Sequence, residues 1–203
     1  MICLGLTGGI ACGKSNISDG LRALGAVIVD GDALSRELTA PGGPALPSLR
    51  TAFGGEIFRA DGTLDRGALG GRVFGDPAAL ATLDGIMQPL LLTLIRRRIA
   101  EAEQSGAAVC VLDMPLLYEK GLDSLCDRVW CAYLPEDLQL ERLMARNGYT
   151  REEALKRVRS QLPAKEKADR ADTVIETTGT LEETRALLPP LYRRLLAEGA
   201  KHE

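Results

Sequence analysis

Five apolar runs, at residues 2–6, 26–30, 107–113, 128–134 and 171–176, are separated by stretches in which apolar side chains recur every three or four positions. Runs of that length predict buried strands, and the stretches between them predict amphipathic helices. Strand and helix in alternation give an α/β fold, a parallel sheet flanked by helices. Helices are expected at 16–24, 33–38, 89–104, 136–146, 151–161 and 181–196. Several carry their own start signals. Thr150 with Glu153 and Thr180 with Glu183 have the spacing of a capping box, and Asp76 followed by Pro77 opens a helix. From 41 to 106 the pattern breaks into short helical pieces punctuated by Gly and Pro, with no strong strand. A helical insertion after the second strand would overhang the strand ends, where an acceptor substrate has room to bind.

The loop joining the first strand to the first helix carries the clearest chemistry. It reads Gly8-x-x-x-x-Gly13-Lys14-Ser15. Several backbone N–H groups must converge on phosphate oxygens there, and Gly8, Gly9 and Gly13 allow the tight path. The helix that follows adds free amides and its positive dipole end, Lys14 adds a full charge, and Ser15 offers a hydroxyl to Mg2+. The pattern points to a nucleoside triphosphate and is silent on the acceptor.

Carboxylates gather at the expected strand ends. Asp30 and Asp32 follow the second strand and Asp113 ends the third. Two readings of Asp32 are open: a base for an attacking hydroxyl, or the cap of the helix at 33–38. Asp113 has the place of a carboxylate that holds Mg2+ or its water. The apolar residues of 114–119 form either a ligand wall or core, and Trp130 is read as packing. Arg142 and Arg146 share one helical face, as do Arg157 and Gln161 on the next helix. The pair of helices is either a lid that closes on polyphosphate or a solvated surface hairpin. Arg96, Arg97 and Arg98 are read as a solvated helix face.

Composition narrows the field. The chain has 203 residues, enough for one sizeable core, and 28 acidic against 25 basic residues give a net charge of −3. No broad nucleic-acid surface is indicated. The five cysteines, Cys3, Cys12, Cys110, Cys126 and Cys131, lack C-x-x-C spacing and predict buried thiols in a reducing compartment. No segment reads as membrane-spanning, so the expectation is a cytoplasmic protein without a membrane partner. The single histidine, His202, is read as a tail residue, which leaves carboxylates as the candidate bases.

In this order the residues resemble the dephospho-CoA kinase family over nearly the whole chain. The resemblance is carried by Leu4-Gly-Leu-Thr-Gly-Gly-Ile10 with Gly13-Lys-Ser15, Val29-Asp-Gly-Asp32 with Arg36, and Pro115-Leu-Leu117 with Glu119. Gln139-Leu-Glu-Arg142 through Arg146, then Gln161 with Glu166-Lys167, continue it. It implies a single P-loop kinase domain of nucleoside-monophosphate-kinase type. The core would comprise 1–32, 107–135 and 170–203, with a helical CoA-binding subdomain at 33–106 and a lid at 136–169. It also implies transfer of the γ-phosphoryl of ATP to the ribose 3′-hydroxyl of dephospho-CoA, with Mg2+, by a monomer or weak homo-oligomer. Asp32, Lys14 and Arg142 would be catalytic. Gly9, Ala11, Cys12, Gly13, Lys14, Ser15, Asn16 and Arg146 would bind ATP. Asp30, Arg36, Pro115, Leu116, Leu117 and Glu119 would meet the acceptor, and Ser15, with Asp113 as a second candidate, would hold the metal.

Three departures from the family pattern stand out. Ala11-Cys12 replaces Gly-Ser, Gln88 replaces a His before Pro, and Glu176-Thr-Thr-Gly179 replaces an asparagine-containing turn. Lys14 and the helix N-terminus beside Cys12 predict a reactive thiolate whose modification ATP would block. A small-molecule kinase of the same fold and a nucleotide-dependent regulatory protein are the rival readings, the GTP version of the latter lacking any Asn-Lys-x-Asp motif.

Overall fold

The computed structural model describes residues 1–199, and His202 lies outside the described residues. Every expected strand forms, with ends shifted by a residue or two. They are β1 (Ile2–Gly8), β2 (Val27–Asp30), β3 (Val109–Asp113), β4 (Arg128–Tyr133) and β5 (Thr173–Glu176). The sheet order is β2-β3-β1-β4-β5. β1 pairs in parallel with both β3 and β4, and β4 with β5. A central strand buried on both faces must be apolar along its length, and β1 is buried from Cys3 to Gly8. Gly5 keeps it free of side-chain conflict: a Cβ there would lie 2.8 Å from Leu117 Cδ2 and 2.9 Å from Cys126 Sγ.

One layer of core joins Leu4, Leu6, Val109 and Val111 to Ile17 and Leu21 of α1 (Lys14–Ala23) and to Leu188 and Leu195. Trp130 is 3% exposed within it, so packing is its role. The terminal helix expected as one piece is two, α9 (Leu181–Ala186) and α10 (Leu188–Gly199). Thr180 and Glu183 close the predicted capping box on α9.

Two compact units make up the chain: Met1–Val29 with the residues from Ile99 onward, and Asp30–Arg98. The second is helical, as its punctuated sequence suggests. It contains α2 (Gly31–Leu38), α3 (Leu46–Phe53), α4 (Arg66–Val73) and most of α5 (Pro77–Gln104). Three of its four helices are capped by carboxylates, and α3 has no side-chain cap. Asp65 accepts from Ala68 N, and Asp76 accepts from Ala78 N and Ala79 N, where the sequence places a helix start. Arg97 and Arg98 both reach Glu37, so only part of the arginine run faces solvent unpaired.

α5 overturns one expectation. By length and composition alone it is long and apolar enough to cross a membrane. The sequence reading split this stretch at Pro89, but the helix passes through Pro89 without a break, which joins two short apolar pieces into one long one.

In the remaining elements the chain forms α6 (Glu136–Asn147), α7 (Arg151–Val158) and α8 (Ala164–Arg170). α8, assigned to the lid by sequence, packs on β1 and β4. α7 carries the Thr150–Glu153 capping box but ends at Val158, so Gln161 is not on its face. Replacing Thr180 by Ala removes the oxygen that accepts Glu183 N and should lower unfolding free energy by about 1 kcal/mol. Urea titration measures it, and Thr180→Ser should keep most of the stability.

Candidate active site

β1 ends at Gly8, where a Cβ would lie 2.7 Å from Ala132 O, so only glycine passes between the strands. The loop then turns back, with Cys12 N donating to Gly9 O at 3.2 Å. Gly13, at φ 72°, caps α1 without any side-chain hydrogen bond to the first turn. Those amides are left for an anion, which a helix N-terminus favours through its dipole. Ala11 has φ 62°, the left-handed region, where a side chain costs about 1–2 kcal/mol. Ala11 bears that strain where the family pattern has glycine.

Two of the predicted polar groups meet beside this loop. Lys14 Nζ pairs with Asp113 Oδ1, both side chains largely enclosed at 16% and 8% exposed. Ser15 opens onto solvent at the start of α1. Among the described residues no group of three or more His, Cys, Asp or Glu side chains is placed to hold a metal ion. A hydroxyl and one carboxylate beside a phosphate site are the hard oxygen donors that Mg2+ takes when substrate phosphates complete its shell. Asn16, by contrast, spends its side chain inside the fold. Its Nδ2 donates to Leu181 O and its Oδ1 accepts from Arg185, which ties α1 to α9.

α6 and α7 form a hairpin with its own small core of Leu140, Leu143, Ala154 and Val158. Ile10 and Ala11 of the loop pack against that core. Arg142 Nη2 donates to Thr177 O at 2.5 Å. Arg146, one turn on, is exposed and donates to Asn147 Oδ1, so the two arginines do not converge. Arg157 stacks on the Tyr149 ring at 4.0 Å, an arrangement internal to the hairpin and not a free basic face.

The segment after β3 is split between two roles. Pro115 and Leu116 are partly exposed, while Leu117 is wholly buried against Gly5. Leu117 is therefore core, and its assignment to the acceptor wall does not stand. Glu119 Oε1 accepts from Lys167 Nζ at 2.8 Å and from Leu162 N at 3.0 Å. Lys167 is fully buried and also donates to Pro115 O at 2.6 Å, the same carbonyl that takes Thr7 Oγ1 at 3.1 Å. A fully buried ammonium is sustained only by such pairing, and breaking a buried pair costs about 3–5 kcal/mol. Glu119 thus braces the segment through Oε1, while its Oε2 and Gln161 Oε1 remain buried without a protein partner.

Asp30, Asp32 and Arg36 belong to the second unit. Asp30, not Asp32, caps α2: its Oδ1 accepts from Asp32 N at 2.9 Å and from Ala33 N at 3.0 Å. The helix begins at Gly31, two residues earlier than the sequence suggests, which moves the cap back to the last residue of β2. The cap occupies Asp30 Oδ1 and leaves the exposed carboxylate of Asp32 for chemistry. Arg36 is exposed in the last turn of α2.

Thr7, Gln139, Lys167 and Thr177 were not singled out individually from sequence. All four are buried polar side chains. Gln139 Nε2 donates to Leu134 O at 2.7 Å, and its Oε1 would lie 2.8 Å from a Cβ at Gly9. Lys167 had a signal, since it shares the buried face of α8 with Ala164 and Ala168.

Cys12 corrects the sequence reading. It is 1% exposed, and burial pushes its thiol up to about 11, outweighing the hydrogen bonds and the nearby charges of Lys167 and Arg142 that favour thiolate. The thiol stays neutral in the folded protein while an unfolded cysteine ionises near 8.5. Stability owed to the neutral thiol is therefore intact below about pH 8.5 and is lost as pH rises toward 11. Iodoacetamide at pH 7.5 should leave Cys12 unlabelled in the native protein and label it after denaturation, as peptide mass spectrometry would show. Native labelling within minutes would contradict the burial.

Comparison with known proteins accords with this arrangement. A family model described as dephospho-CoA kinase matches residues 2–183. The dephospho-CoA kinase of Carboxydothermus hydrogenoformans is 47% identical over 182 residues, covering 90% of this chain and 88% of its own. That of Anaeromyxobacter dehalogenans is 48% identical over 182 residues, covering 90% and 86%. Among solved structures, TT1252 from Thermus thermophilus is 36% identical with a TM-score of 0.79, covering 97% of each chain. The dephospho-CoA kinase from Campylobacter jejuni, 24% identical with a TM-score of 0.73 and covering 97% and 98%, shares the fold. With the family model spanning most of its length and relatives alike over nine-tenths of it, this chain belongs to the dephospho-CoA kinase family.

Proposed function

We propose that the loop from Gly8 to Ser15 holds the phosphates of ATP, that Arg142 stabilises the transferring phosphoryl group, and that Asp32 orients the acceptor hydroxyl and takes its proton. The reaction is that of the family: ATP-dependent phosphorylation of the ribose 3′-hydroxyl of dephospho-CoA, giving coenzyme A and ADP in coenzyme A synthesis. The observation that carries the assignment of roles is the Lys14–Asp113 pair beside a helix start whose amides no side chain caps.

Phosphoryl transfer passes through a loose transition state, so the protein's part is positioning and charge stabilisation. Lys14 exchanges Asp113 for the outer phosphate oxygens when nucleotide arrives. Both partners are largely enclosed, which makes each interaction stronger than it would be in water. Ser15 and the carboxylate of Asp113 would hold Mg2+, which when bound would supply positive charge against the negative charge of the phosphates. The amides of Gly9, Ala11 and Gly13 supply the remaining contacts, and that of Cys12 would join them only by leaving Gly9 O. Arg146 would join them only after leaving Asn147, which the exposed position permits.

Asp32 needs little basicity for this role, because a dissociative transition state demands little proton removal early. The helical unit Asp30–Arg98 is assigned to dephospho-CoA, with Arg36 on an acceptor phosphate and Pro115 and Leu116 beside the acceptor. The hairpin of α6 and α7 is assigned as the lid, supported by its packing on Ile10 and Ala11. The assembly is read as a monomer or weak homo-oligomer.

A Mg2+-dependent assay with ATP against dephospho-CoA, AMP, adenosine, gluconate and no acceptor tests the reaction, with products identified by mass. ADP should form in step with coenzyme A only when dephospho-CoA is present. ADP formed without an acceptor, or with another one, would overturn the substrate assignment. Asp32→Asn keeps shape and removes the proton acceptor, so kcat should fall by about 10²-fold or more with ADP affinity unchanged. Normal turnover in that variant would remove Asp32 from the base role.

A further inference from the structure

We propose that Thr177 is a positioning residue for phosphoryl transfer, aiming the phosphate loop with its hydroxyl and holding Arg142 with its carbonyl. The inference rests on the reading that residues 8–15 take ATP and that Arg142 serves its phosphates.

Thr177 directly follows β5 and is 3% exposed. Three different parts of the first unit meet on it. Its N–H donates to Tyr133 O at 3.0 Å, which carries the pairing of β5 with β4 one residue past the strand end. Its single Oγ1 proton is shared between two carbonyls, Cys12 O at 3.0 Å and Tyr133 O at 3.1 Å. Its own carbonyl accepts from Arg142 Nη2 at 2.5 Å. The side chain also faces the loop glycine, since a Cβ on Gly13 would lie 3.8 Å from Thr177 Cβ.

The geometry of a trans peptide turns these contacts into function. In the planar unit joining Cys12 to Gly13, the carbonyl and the N–H point in opposite directions. A hydroxyl that holds the Cys12 carbonyl on the Thr177 side therefore holds the Gly13 N–H facing away from Thr177. Gly13 is the left-handed residue that caps α1, so its rotation would carry the first helical amides with it. Thr177 sets that rotation from outside the loop.

The carbonyl contact serves Arg142 in a different way. Among the described residues Arg142 makes no ion pair, and its hydrogen bond goes to a neutral oxygen. A carboxylate would fix the guanidinium equally well but would cancel much of its field at the phosphates. A peptide carbonyl orients one of five N–H donors and leaves the charge and the other donors available. One buried residue thus sets the loop amides and the arginine in a common frame. The position lies in the turn where the family pattern has asparagine, so this arrangement is built from a residue the resemblance does not supply.

The test compares Thr177→Val, which keeps the shape and removes the hydroxyl, with Thr177→Ser, which keeps it. ADP affinity is measured by calorimetry, and kcat and both KM values by coupled assay. Losing one net hydrogen bond should weaken ADP binding and raise KM for ATP by about 3–10-fold in Thr177→Val. KM for dephospho-CoA should stay within about twofold, and Thr177→Ser should return to within about twofold of the native values. Native ADP affinity and kcat in Thr177→Val would overturn the proposal. So would equal rises in both KM values that Thr177→Ser fails to reverse, since that is the behaviour of a residue that only supports the fold. The native arm separates the two readings: transfer to a different acceptor there would refute the substrate assignment while the ADP comparison still decides Thr177.

Discussion

Every peptide N–H turned toward a phosphate turns a carbonyl the other way, and that carbonyl must be satisfied somewhere else. The first unit is arranged around this constraint. The carbonyl of Gly9 is taken by Cys12 N, that of Gly13 by Asn16 N, and that of Cys12 by Thr177. Leu134 O, at the end of the neighbouring strand segment, is taken by Gln139. Buried polar side chains thus surround a loop that presents only amides on its other side. Each would cost about 1–3 kcal/mol if left unpaired, so the loop can hold its shape only while this shell is complete.

Charge is handled by the same logic, but with different partners at different depths. Lys167 is fully buried and has a carboxylate, Glu119, together with the carbonyl of Pro115. Lys167 itself is fully enclosed and has no water to return to, while Glu119 keeps 19% of its side-chain surface. Lys14 also has a carboxylate, Asp113, but its side chain keeps 16% of its surface, so an incoming polyphosphate can compete for it. Arg142 has only a carbonyl. The three cations are graded from structural to functional by what each would give up to meet a phosphate: an ion pair whose cation is fully buried, one whose cation is partly exposed, or a neutral contact. The order is not one of distance along the chain, and no single motif encodes it.

The sequence disclosed the sheet, the loop and the helical second unit because each rests on local rules. Apolar runs bounded by turns gave the strands, the glycine spacing gave the loop, and Thr150 and Thr180 marked their helices correctly. What it missed depends on contacts between distant residues. Cys12 sits beside a lysine and a helix start in sequence, so it was read as reactive, yet burial dominates its chemistry. Leu117 looked available as a wall because nothing in a Pro-Leu-Leu run says which leucine faces Gly5. Asp30 and Asp32 both fit a cap, and only the observed start of α2 at Gly31 separates them. The turn holding Thr177 stood out as a departure from the family pattern, but nothing local gives its role, because its partners lie 165 and 44 residues away.

Ala11 shows how the departures from the family pattern fit together. A left-handed alanine is strained, and glycine at that place would remove the strain. The methyl group, however, is also what Ala11 contributes to the core of the α6–α7 hairpin, alongside Ile10. Strain in the loop and packing on the hairpin are therefore coupled through one carbon atom. Glycine would relax the backbone and give up the contact, loosening the hairpin from the loop it covers. The neighbouring Cys12 follows the same logic: its side chain is enclosed in the core under the loop, and its carbonyl is the one Thr177 holds. The changes at Ala11, Cys12 and Thr177 thus lie on connected contacts, and the loop is held here by packing and hydrogen bonding from its outer side.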